Sequence, residues 1–226
     1  MQTRRYHHGD LRAALLTRAE QTLRDKGPGA LSLRELARDL GVSHAAPSRH
    51  FKDKQALLDA LALVGFERMD AALTASQAAA GAPFADRVGA LARAYVDFAT
   101  ANAALLDLMY TVKHDPEASE ALIAAGQRLG AMAVDVVAEG QRSGDVRQGP
   151  AVQIGMPVFT TLHGFASFAT SGVLTPEEVE SGLAGVIAYM LRGCAPDGRT
   201  VPSPDAGPSG FECFNPRPPG GTSHPV

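Results

Sequence analysis

Side chains that could contact nucleic acid are concentrated in one short stretch of the sequence. Residues 43–50 read S-H-A-A-P-S-R-H, and two lysines follow within four positions. Hydroxyl, imidazole and guanidinium groups hydrogen-bond phosphate oxygens or base edges, while small alanines permit contact with a thymine methyl group. We therefore predict a DNA-contacting surface. Its predicted members are Ser32, Arg34, Ser43, His44, Ala45, Ala46, Ser48, Arg49, His50 and Lys54.

The pattern around these residues predicts a helix-turn-helix. Apolar side chains repeat at helical spacing through residues 33–40, and Ser32 and Glu35 stand at the spacing of a capping box. Gly41 is suited to the turn, and a second helix is predicted over Ser43–Phe51, with its first serine as N-cap. A helix-turn-helix places its second helix in a DNA major groove. Helical hairpins of this kind also occur in proteins that never touch nucleic acid, so the pattern alone leaves both readings open.

Charge is distributed unevenly along the chain. Residues 1–55 contain 11 Lys and Arg against 6 Asp and Glu, whereas residues 56–226 contain 10 against 18. The net charge of −3 therefore hides a basic N-terminal part and an acidic remainder. A small basic DNA-binding domain joined to a larger acidic domain has this charge distribution, although chance clustering would also produce it. Residues 1–10 are predicted to form a basic arm that lies along the DNA backbone or enters a minor groove.

Two sequence blocks resemble a known family. Tyr6–Leu16 reads Y-H-H-G-D-L-R-A-A-L-L, and Gly41–Leu58 reads G-V-S-H-A-A-P-S-R-H-F-K-D-K-Q-A-L-L. These blocks resemble the N-terminal domain of TetR-type bacterial transcriptional repressors, and within that family the branch whose C-terminal domain carries a W-H-G-like motif. The pair His163-Gly164 resembles that motif without its tryptophan. At Ser48, members of the family usually have an aromatic residue whose hydroxyl touches a phosphate.

The resemblance implies a function and its partners. It implies a sequence-specific, ligand-responsive repressor that binds a palindromic double-stranded DNA operator as a homodimer. It also implies that a small-molecule effector binds the C-terminal domain and shifts the long helix that follows the DNA-binding domain. The choice of a repressor over an activator rests on the usual role of family members and not on the sequence itself.

Helical spacing and helix-end signals predict an all-α fold, with an N-terminal three-helix helix-turn-helix domain and a C-terminal helical bundle, TetR-like in arrangement. After a first helix capped by Asp10, helices are predicted from Asp53 to Ala79, over 84–101 and 102–112, from Asp115 to Arg142, over 151–171 and from Thr175 to Leu191. We predict a DNA-binding domain at 1–54, a ligand-binding and dimerisation domain at 55–194, and a Pro- and Gly-rich disordered tail at 195–226.

Side chains typical of a pocket for a small, mainly apolar effector occur on helices that are predicted to converge. The predicted ligand-binding residues are Phe98, Met109, Tyr110, Met156, Phe159 and His163. Each is equally compatible with an ordinary core position, and His163 with a hydrogen-bonded structural role.

The last two predicted helices carry more apolar surface than one domain needs. Residues 151–171 are almost uncharged, and Gly182 and Gly185 in the last helix would let a partner helix approach closely. We predict a homodimer interface, a four-helix bundle with two helices from each chain. Burial of these surfaces within one chain is the alternative.

Motifs of enzymes and metal proteins are missing from the sequence. It contains no H-E-x-x-H, no spaced Cys/His set, no G-x-S-x-G and no phosphate-binding glycine loop. We predict no catalytic residue, no metal site and no cofactor. The sequence has no run of 18 apolar residues, so we predict no membrane span. The two cysteines, Cys194 and Cys213, fit a reducing cytoplasmic location without a structural disulfide.

Two other functions remain open from the sequence. One is a helical small-molecule-binding or thiol-sensing protein with weakened DNA binding, which the serine at position 48 motivates. The other is an enzyme that uses His163 with a nearby carboxylate.

Overall fold

The computed structural model describes residues 10–81 and 83–196, which form eight α-helices and no β-strand. The all-α prediction is confirmed. The helices are α1 (Leu11–Lys26), α2 (Leu33–Asp39), α3 (Lys54–Ala79), α4 (Phe84–Ala101), α5 (Ala103–Val112), α6 (Glu120–Ser143), α7 (Ala151–Thr170) and α8 (Pro176–Cys194). All of the predicted N-terminal arm except Asp10, and almost all of the predicted tail, lie outside the described residues.

Local end signals set several helix boundaries as predicted. The side chains of Asp10 and Asp53 accept hydrogen bonds from backbone amides three residues on, at 3.0 and 2.8 Å, and so begin α1 and α3. Thr175 and Glu178 form the reciprocal capping box at the start of α8, with distances of 3.2 and 2.8 Å. Gly144 ends α6 in the left-handed conformation, with φ of 78°.

The predicted capping box at the start of α2 is wrong. Ser32 makes no side-chain capping hydrogen bond. Glu35 instead lies 3.5 Å from the guanidinium of Arg38, an ion pair of i,i+3 spacing on the exposed face of α2. An exposed Glu at the third helical position has two partners within reach, and sequence spacing alone does not decide between them.

The predicted start of α6 is also wrong. Asp115 accepts a hydrogen bond from the backbone amide of Glu117 at 2.8 Å, which forms a tight turn in place of a first helical turn. The helix begins at Glu120, with Ser119 as its N-cap. Contact with α3 fixes this boundary, because the Asp59 carboxylate accepts hydrogen bonds from the Ser119 amide and hydroxyl.

We call α1, α2 and the chain up to the first turn of α3 the head, and the remaining helices the body. The head and the body share one hydrophobic core. Helix α1 packs against α2, α3 and α5, and α3 also packs against α4, α5 and α6. Helices α7 and α8 pack against each other and against α4. The 26 residues of α3 span about 39 Å at 1.5 Å per residue, so this helix connects the two parts. Buried side chains of the head include Leu15, Ala19, Leu23, Leu36, Phe51 and Leu57.

Helix α6 is the one described helix that is long and apolar enough to cross a membrane by length and composition. It packs against α3 and α7 within the fold. Its surface carries the exposed charged residues Arg128, Asp135 and Glu139. We therefore interpret α6 as a packing helix of the C-terminal body.

Candidate DNA interface and ligand site

The segment predicted as the second helix of the helix-turn-helix is not a regular α-helix. Only Pro47–Arg49 is helical, as a 3₁₀ turn, and this corrects the predicted helix Ser43–Phe51. Pro47 has no amide hydrogen, so it cannot donate the bond back to Ser43 that an α-helix requires. The Ala46 amide donates instead to the Ser43 carbonyl at 2.9 Å, which tightens the chain into successive turns.

Most of the predicted DNA-contacting residues lie on the surface. Ser32 and Ala46 are half-buried, and the other eight are exposed. The exposed members are Arg34, Ser43, His44, Ala45, Ser48, Arg49, His50 and Lys54. Within the described residues, Arg34 and Arg49 form no ion pair, so their guanidinium groups are accessible. Contact with DNA stays a prediction for all ten residues.

Lys54 has a partner within the protein. Its ammonium group donates to the Gly29 carbonyl at 3.2 Å. This bond joins the start of α3 to the turn between α1 and α2, and it holds the lysine side chain along the head. Lys54 therefore has a structural contact in addition to its predicted contact with a phosphate.

Two arginines outside the predicted DNA-contacting set hold the head together. Arg18 donates to one carboxylate oxygen of Asp39 from two nitrogens, at 3.0 and 2.8 Å, and this joins α1 to α2. The same hydrogen bonds lower the pKa of Asp39 below its usual value. Arg12 lies over the ring of Phe51, 5.6 Å from its centroid. The first contact holds α2 against α1, and the second holds Phe51, which follows the turn around Pro47, against α1.

In the C-terminal body, a hydrogen-bonded cluster joins three helices. The hydroxyl of Tyr95 in α4 lies 2.7 Å from Nδ1 of His163 in α7 and 3.2 Å from the hydroxyl of Tyr110 in α5. The ring of Phe159 stacks on the imidazole of His163, with centroids 5.8 Å apart and planes 14° apart. We call these four residues the aromatic cluster. It brings together three of the predicted ligand-binding residues.

Tyr95 is the member of this cluster that sequence reasoning missed. Helical spacing assigns it only to the apolar stripe of α4, and its side chain is 2% exposed. A buried tyrosine needs a partner for its hydroxyl, and that requirement is the sequence signal that points to a polar neighbour. The identity of the neighbours depends on how α4, α5 and α7 pack.

Burial controls the protonation of the cluster. It is the main cause that lowers the pKa of His163, and the nearby charge of Lys113 lowers it further. Burial likewise raises the pKa values of Tyr95 and Tyr110, so both hydroxyls stay protonated. The Lys113 ammonium lies 4.2 Å from the Tyr110 ring centroid, and burial lowers its pKa. The cluster is therefore a neutral imidazole with two tyrosine hydroxyls beside one cation.

A surface groove of about 470 Å³ opens onto this cluster. It runs between α5 and α7, where Tyr110 and His163 meet it. Its lining residues are Ala103, Ala104, Leu106, Asp107, Tyr110, His163, Ser167, Thr170 and Ser171. Hydroxyls, a carboxylate and an imidazole thus border a mainly apolar groove, as is usual for small-molecule sites.

Three predicted ligand-binding residues lie elsewhere. Met156 is 56% exposed on α7 and lines neither this groove nor the apolar cavity beside Phe159, so ligand contact at this residue stays a prediction. Phe98 and Met109 are buried in the core, at 9% and 0% exposure, and border neither this groove nor the apolar cavity beside Phe159. Periodicity placed these side chains on the right helices, but the faces that they occupy were decided by packing.

The cluster is in contact with the helix that leads to the head. The ring of Phe66 in α3 meets the ring of Tyr110 edge-on, with centroids 6.0 Å apart. One residue earlier, α3 has Gly65, where an added Cβ would lie 2.5 Å from Sδ of Met109. The close approach of α3 and α5 therefore depends on the absence of a side chain at this glycine.

No group of three or more potential metal ligands occurs among residues 10–81 and 83–196. Cys194 is a free, buried thiol within this range. Its pKa is raised by burial.

Comparisons with known proteins agree with this architecture. Residues 15–61 match the model for bacterial regulatory proteins of the tetR family, and residues 88–192 match the tetracyclin repressor-like C-terminal domain. No curated protein matches the chain. The particular C-terminal branch inferred from His163-Gly164 stays a prediction.

Solved structures share the whole fold. A protein with unknown function from Rhodococcus sp. RHA1 is 46% identical, with a TM-score of 0.79 over 85% of this chain and 100% of its own. A tetR-family regulatory protein from Rhodococcus RHA1 is 21% identical, with a TM-score of 0.65 over 81% and 96%. The TetR-family transcriptional regulator PfmR from Thermus thermophilus is 22% identical, with a TM-score of 0.64 over 79% and 97%. The chain therefore belongs to the TetR family of bacterial transcriptional regulators.

Proposed function

We propose that this protein is a homodimeric, ligand-responsive repressor that binds a palindromic DNA operator. The observation that carries the proposal is the continuity of α3. This helix begins at Lys54, three residues after Phe51, where the predicted DNA-contacting segment ends. Its middle turn packs on Tyr110 of the aromatic cluster. One rigid element thus connects the exposed basic head with the groove in the C-terminal body.

Ligand control follows from differential binding. A molecule in the groove that moves Tyr110 also changes the surface on which Phe66 of α3 rests. If that molecule prefers one position of α3, it shifts the population of head positions, and operator affinity changes accordingly. The effector class that fits is small and mainly apolar, with a polar group that reaches His163 or Tyr110.

Dimerisation is supported by apolar side chains left exposed on α7 and α8. Val152, Met156 and Phe168 on α7 are 57%, 56% and 49% exposed, and Tyr189 on α8 is 61% exposed. Apolar side chains concentrated on neighbouring helices indicate an interaction surface. A symmetric partner that contributed the same two helices would cover them and would place two heads for successive major grooves about 34 Å apart.

A second candidate is a ligand-binding protein with weakened DNA binding. The 3₁₀ turn at Pro47 and the short side chain of Ser48 favour it, because both reduce the reach of the reading segment. Thiol sensing is disfavoured at Cys194, because its sulfur is buried and its pKa is raised. We expect no enzymatic activity, and a DNA-binding regulator of this family would act in the cytoplasm.

Selection of duplexes from a random DNA pool tests the proposal, with affinity then measured across a salt series. We expect a palindromic motif, with a steep loss of affinity as salt rises. Arg49→Ala should weaken binding and reduce the salt slope by about 1 if the guanidinium contacts phosphate. Arg128→Ala is the matched control, since Arg128 is an exposed arginine on α6. Weak binding without sequence preference would favour the second candidate.

A further inference from the structure

A cavity of about 50 Å³ lies between α4, α6, α7 and α8, apart from the groove that reaches His163. Side chains from all four helices line it. They include Val88, Val136, Gly155, Leu162, Met190 and Cys194. All of its lining residues are apolar except the thiol.

The thiol offers little to a polar ligand. Its sulfur donates to the Met190 carbonyl at 3.1 Å, with the Leu191 carbonyl 3.4 Å away. A water molecule needs two to four polar partners, and apolar cavities without them stay dry. The cavity is therefore suited to an uncharged molecule without strong hydrogen-bonding groups.

Phe159 is the wall between this cavity and the aromatic cluster. It lines the cavity, its ring stacks on His163, and it meets the ring of Tyr95 edge-on with centroids 6.2 Å apart. An occupant of the cavity would therefore press on a ring that contacts both His163 and Tyr95. The side chain is half-buried, so its neighbours do not enclose it completely.

We infer that this cavity is the apolar half of the effector site and takes a small hydrocarbon-like molecule or group, with Phe159 as its movable wall. An apolar cavity of about 150 Å³ binds benzene or xenon. At about 50 Å³ the cavity suits a xenon-sized occupant, and a six-membered ring requires Phe159 to turn away. Binding in the cavity stands on the geometry alone, and only its role as an effector site rests on the proposed function.

Xenon binding to the full chain, followed by ¹²⁹Xe NMR under increasing pressure, tests the site. Gly155 lines the cavity, and a Cβ added there would lie 3.6 Å from Val137 Cγ2, an ordinary contact. Gly155→Val should fill the space and weaken xenon binding at least about ten-fold. The matched control is Gly164→Val in the same helix, where an added Cβ meets nothing within 4 Å. Equal xenon binding by both variants, or no saturable binding by the wild type, would overturn the inference.

Two further variants keep the test decisive. If circular dichroism shows that Gly155→Val is unfolded, Gly155→Ala replaces it and should weaken xenon binding by about three-fold. Phe159→Ala should enlarge the cavity and create saturable benzene binding, which Gly155→Ala added to it should weaken. If benzene bound the double variant as tightly as it binds Phe159→Ala alone, the benzene would not lie in this cavity, and the proposed location would be wrong.

Operator binding separates this inference from the proposed function. Benzene bound to Phe159→Ala should change operator affinity, and an unchanged affinity would overturn the assignment as an effector site. Failure of the ligand-free wild type to bind any operator would overturn the proposed function. That failure would leave the xenon measurement intact, so the two failures are distinguishable.

Discussion

Asp59 accepts two hydrogen bonds from Ser119, one from the backbone amide at 2.8 Å and one from the hydroxyl at 2.7 Å. Asp59 lies in the second turn of α3, close to the head, and Ser119 is the N-cap of α6 in the body. The Ser119 hydroxyl also accepts from the Leu122 amide at 3.2 Å. The pair therefore fixes the position of α3 and the first turn of α6 together.

Asp59→Ala is expected to lower the free energy of unfolding by about 1–3 kcal/mol, because it removes an acceptor from two partly buried donors. Asp59→Asn should cost less, since its amide oxygen can still accept one of the two hydrogen bonds. Urea denaturation gives the values. Asp70→Ala is the control, because this aspartate on the same helix forms no ion pair within the described residues. Equal losses for the two alanine variants would show that the Ser119 contact contributes nothing.

Gly65→Ala is expected to destabilise the protein although alanine is the better helix former. The new Cβ would lie 2.5 and 2.8 Å from the Met109 sulfur and Cγ, and Met109 is fully buried. Overpacking of this kind costs about 1–3 kcal/mol, against a helix-propensity gain of about 1 kcal/mol.

Gly130→Ala in α6 is the control for Gly65→Ala, because an added Cβ there meets nothing within 4 Å. It should raise the midpoint of thermal unfolding, while the substitution at Gly65 lowers it. A rise for both variants would mean that α3 and α5 separate without cost. In that case the close helix approach would not constrain the head.

How much of this architecture the sequence predicts depends on the range of the interactions involved. The starts of α1, α3 and α8 follow from capping side chains a few residues away, and these predictions hold. The predicted start of α6 is wrong because Asp59, 60 residues before Ser119, decides it. The predicted helix Ser43–Phe51 is wrong because Pro47 lacks the amide hydrogen that a regular α-helix requires at this position, although the surrounding pattern is that of a helix-turn-helix.

The candidate site shows the same division. Residue type on converging helices predicts Tyr110, Phe159 and His163, and the structure brings them together. Tyr95 escapes prediction because its role depends on a contact 68 residues away in the chain. The exposure of Met156 cannot be predicted from the sequence, because an almost uncharged helix gives no periodicity to show which face points inward.

The stability of the protein should fall as pH drops below about 6.5, with a contribution from His163. Its pKa in the folded state lies below the ordinary value of 6.5, so the unfolded chain binds more protons in this range. This contribution is fully present above pH 6.5 and is lost as pH falls toward the lowered pKa. His163→Gln, whose side-chain amide can still form a hydrogen bond with Tyr95, should flatten the dependence of unfolding free energy on pH between about 5 and 7.5.

His114→Gln is the control for the pH series, because His114 is exposed and lies outside the aromatic cluster. It should leave the slope of the wild type unchanged. A His163→Gln slope that matches the wild type would assign the pH dependence to other groups and would contradict a half-buried, neutral imidazole.

Tyr189→Glu is expected to weaken the proposed homodimer at least about ten-fold, because an unpaired carboxylate in an apolar interface costs more than about 1.4 kcal/mol. Tyr189 is the most exposed large apolar side chain of the described residues, at 61%. Sedimentation velocity across a concentration series measures the effect. Ile123→Glu on α6, where the side chain is 42% exposed, should leave the dimer intact. If Ile123→Glu dissociated the dimer and Tyr189→Glu did not, the interface would lie on α6 and not on α8.

Ser48→Tyr is expected to tighten operator binding about five-fold, the effect of one added hydrogen bond of about 1 kcal/mol. Ser48 is exposed beside the 3₁₀ turn, so a larger side chain has room, and its hydroxyl would reach further toward a phosphate than the serine hydroxyl does. Ser48→Phe provides the matched ring without the hydroxyl and should give no such gain. Fluorescence anisotropy on the selected operator compares the three proteins at one salt concentration.

If the phenylalanine variant binds as tightly as the tyrosine variant, the ring rather than a phosphate hydrogen bond is responsible. If neither variant gains affinity, position 48 does not face the DNA.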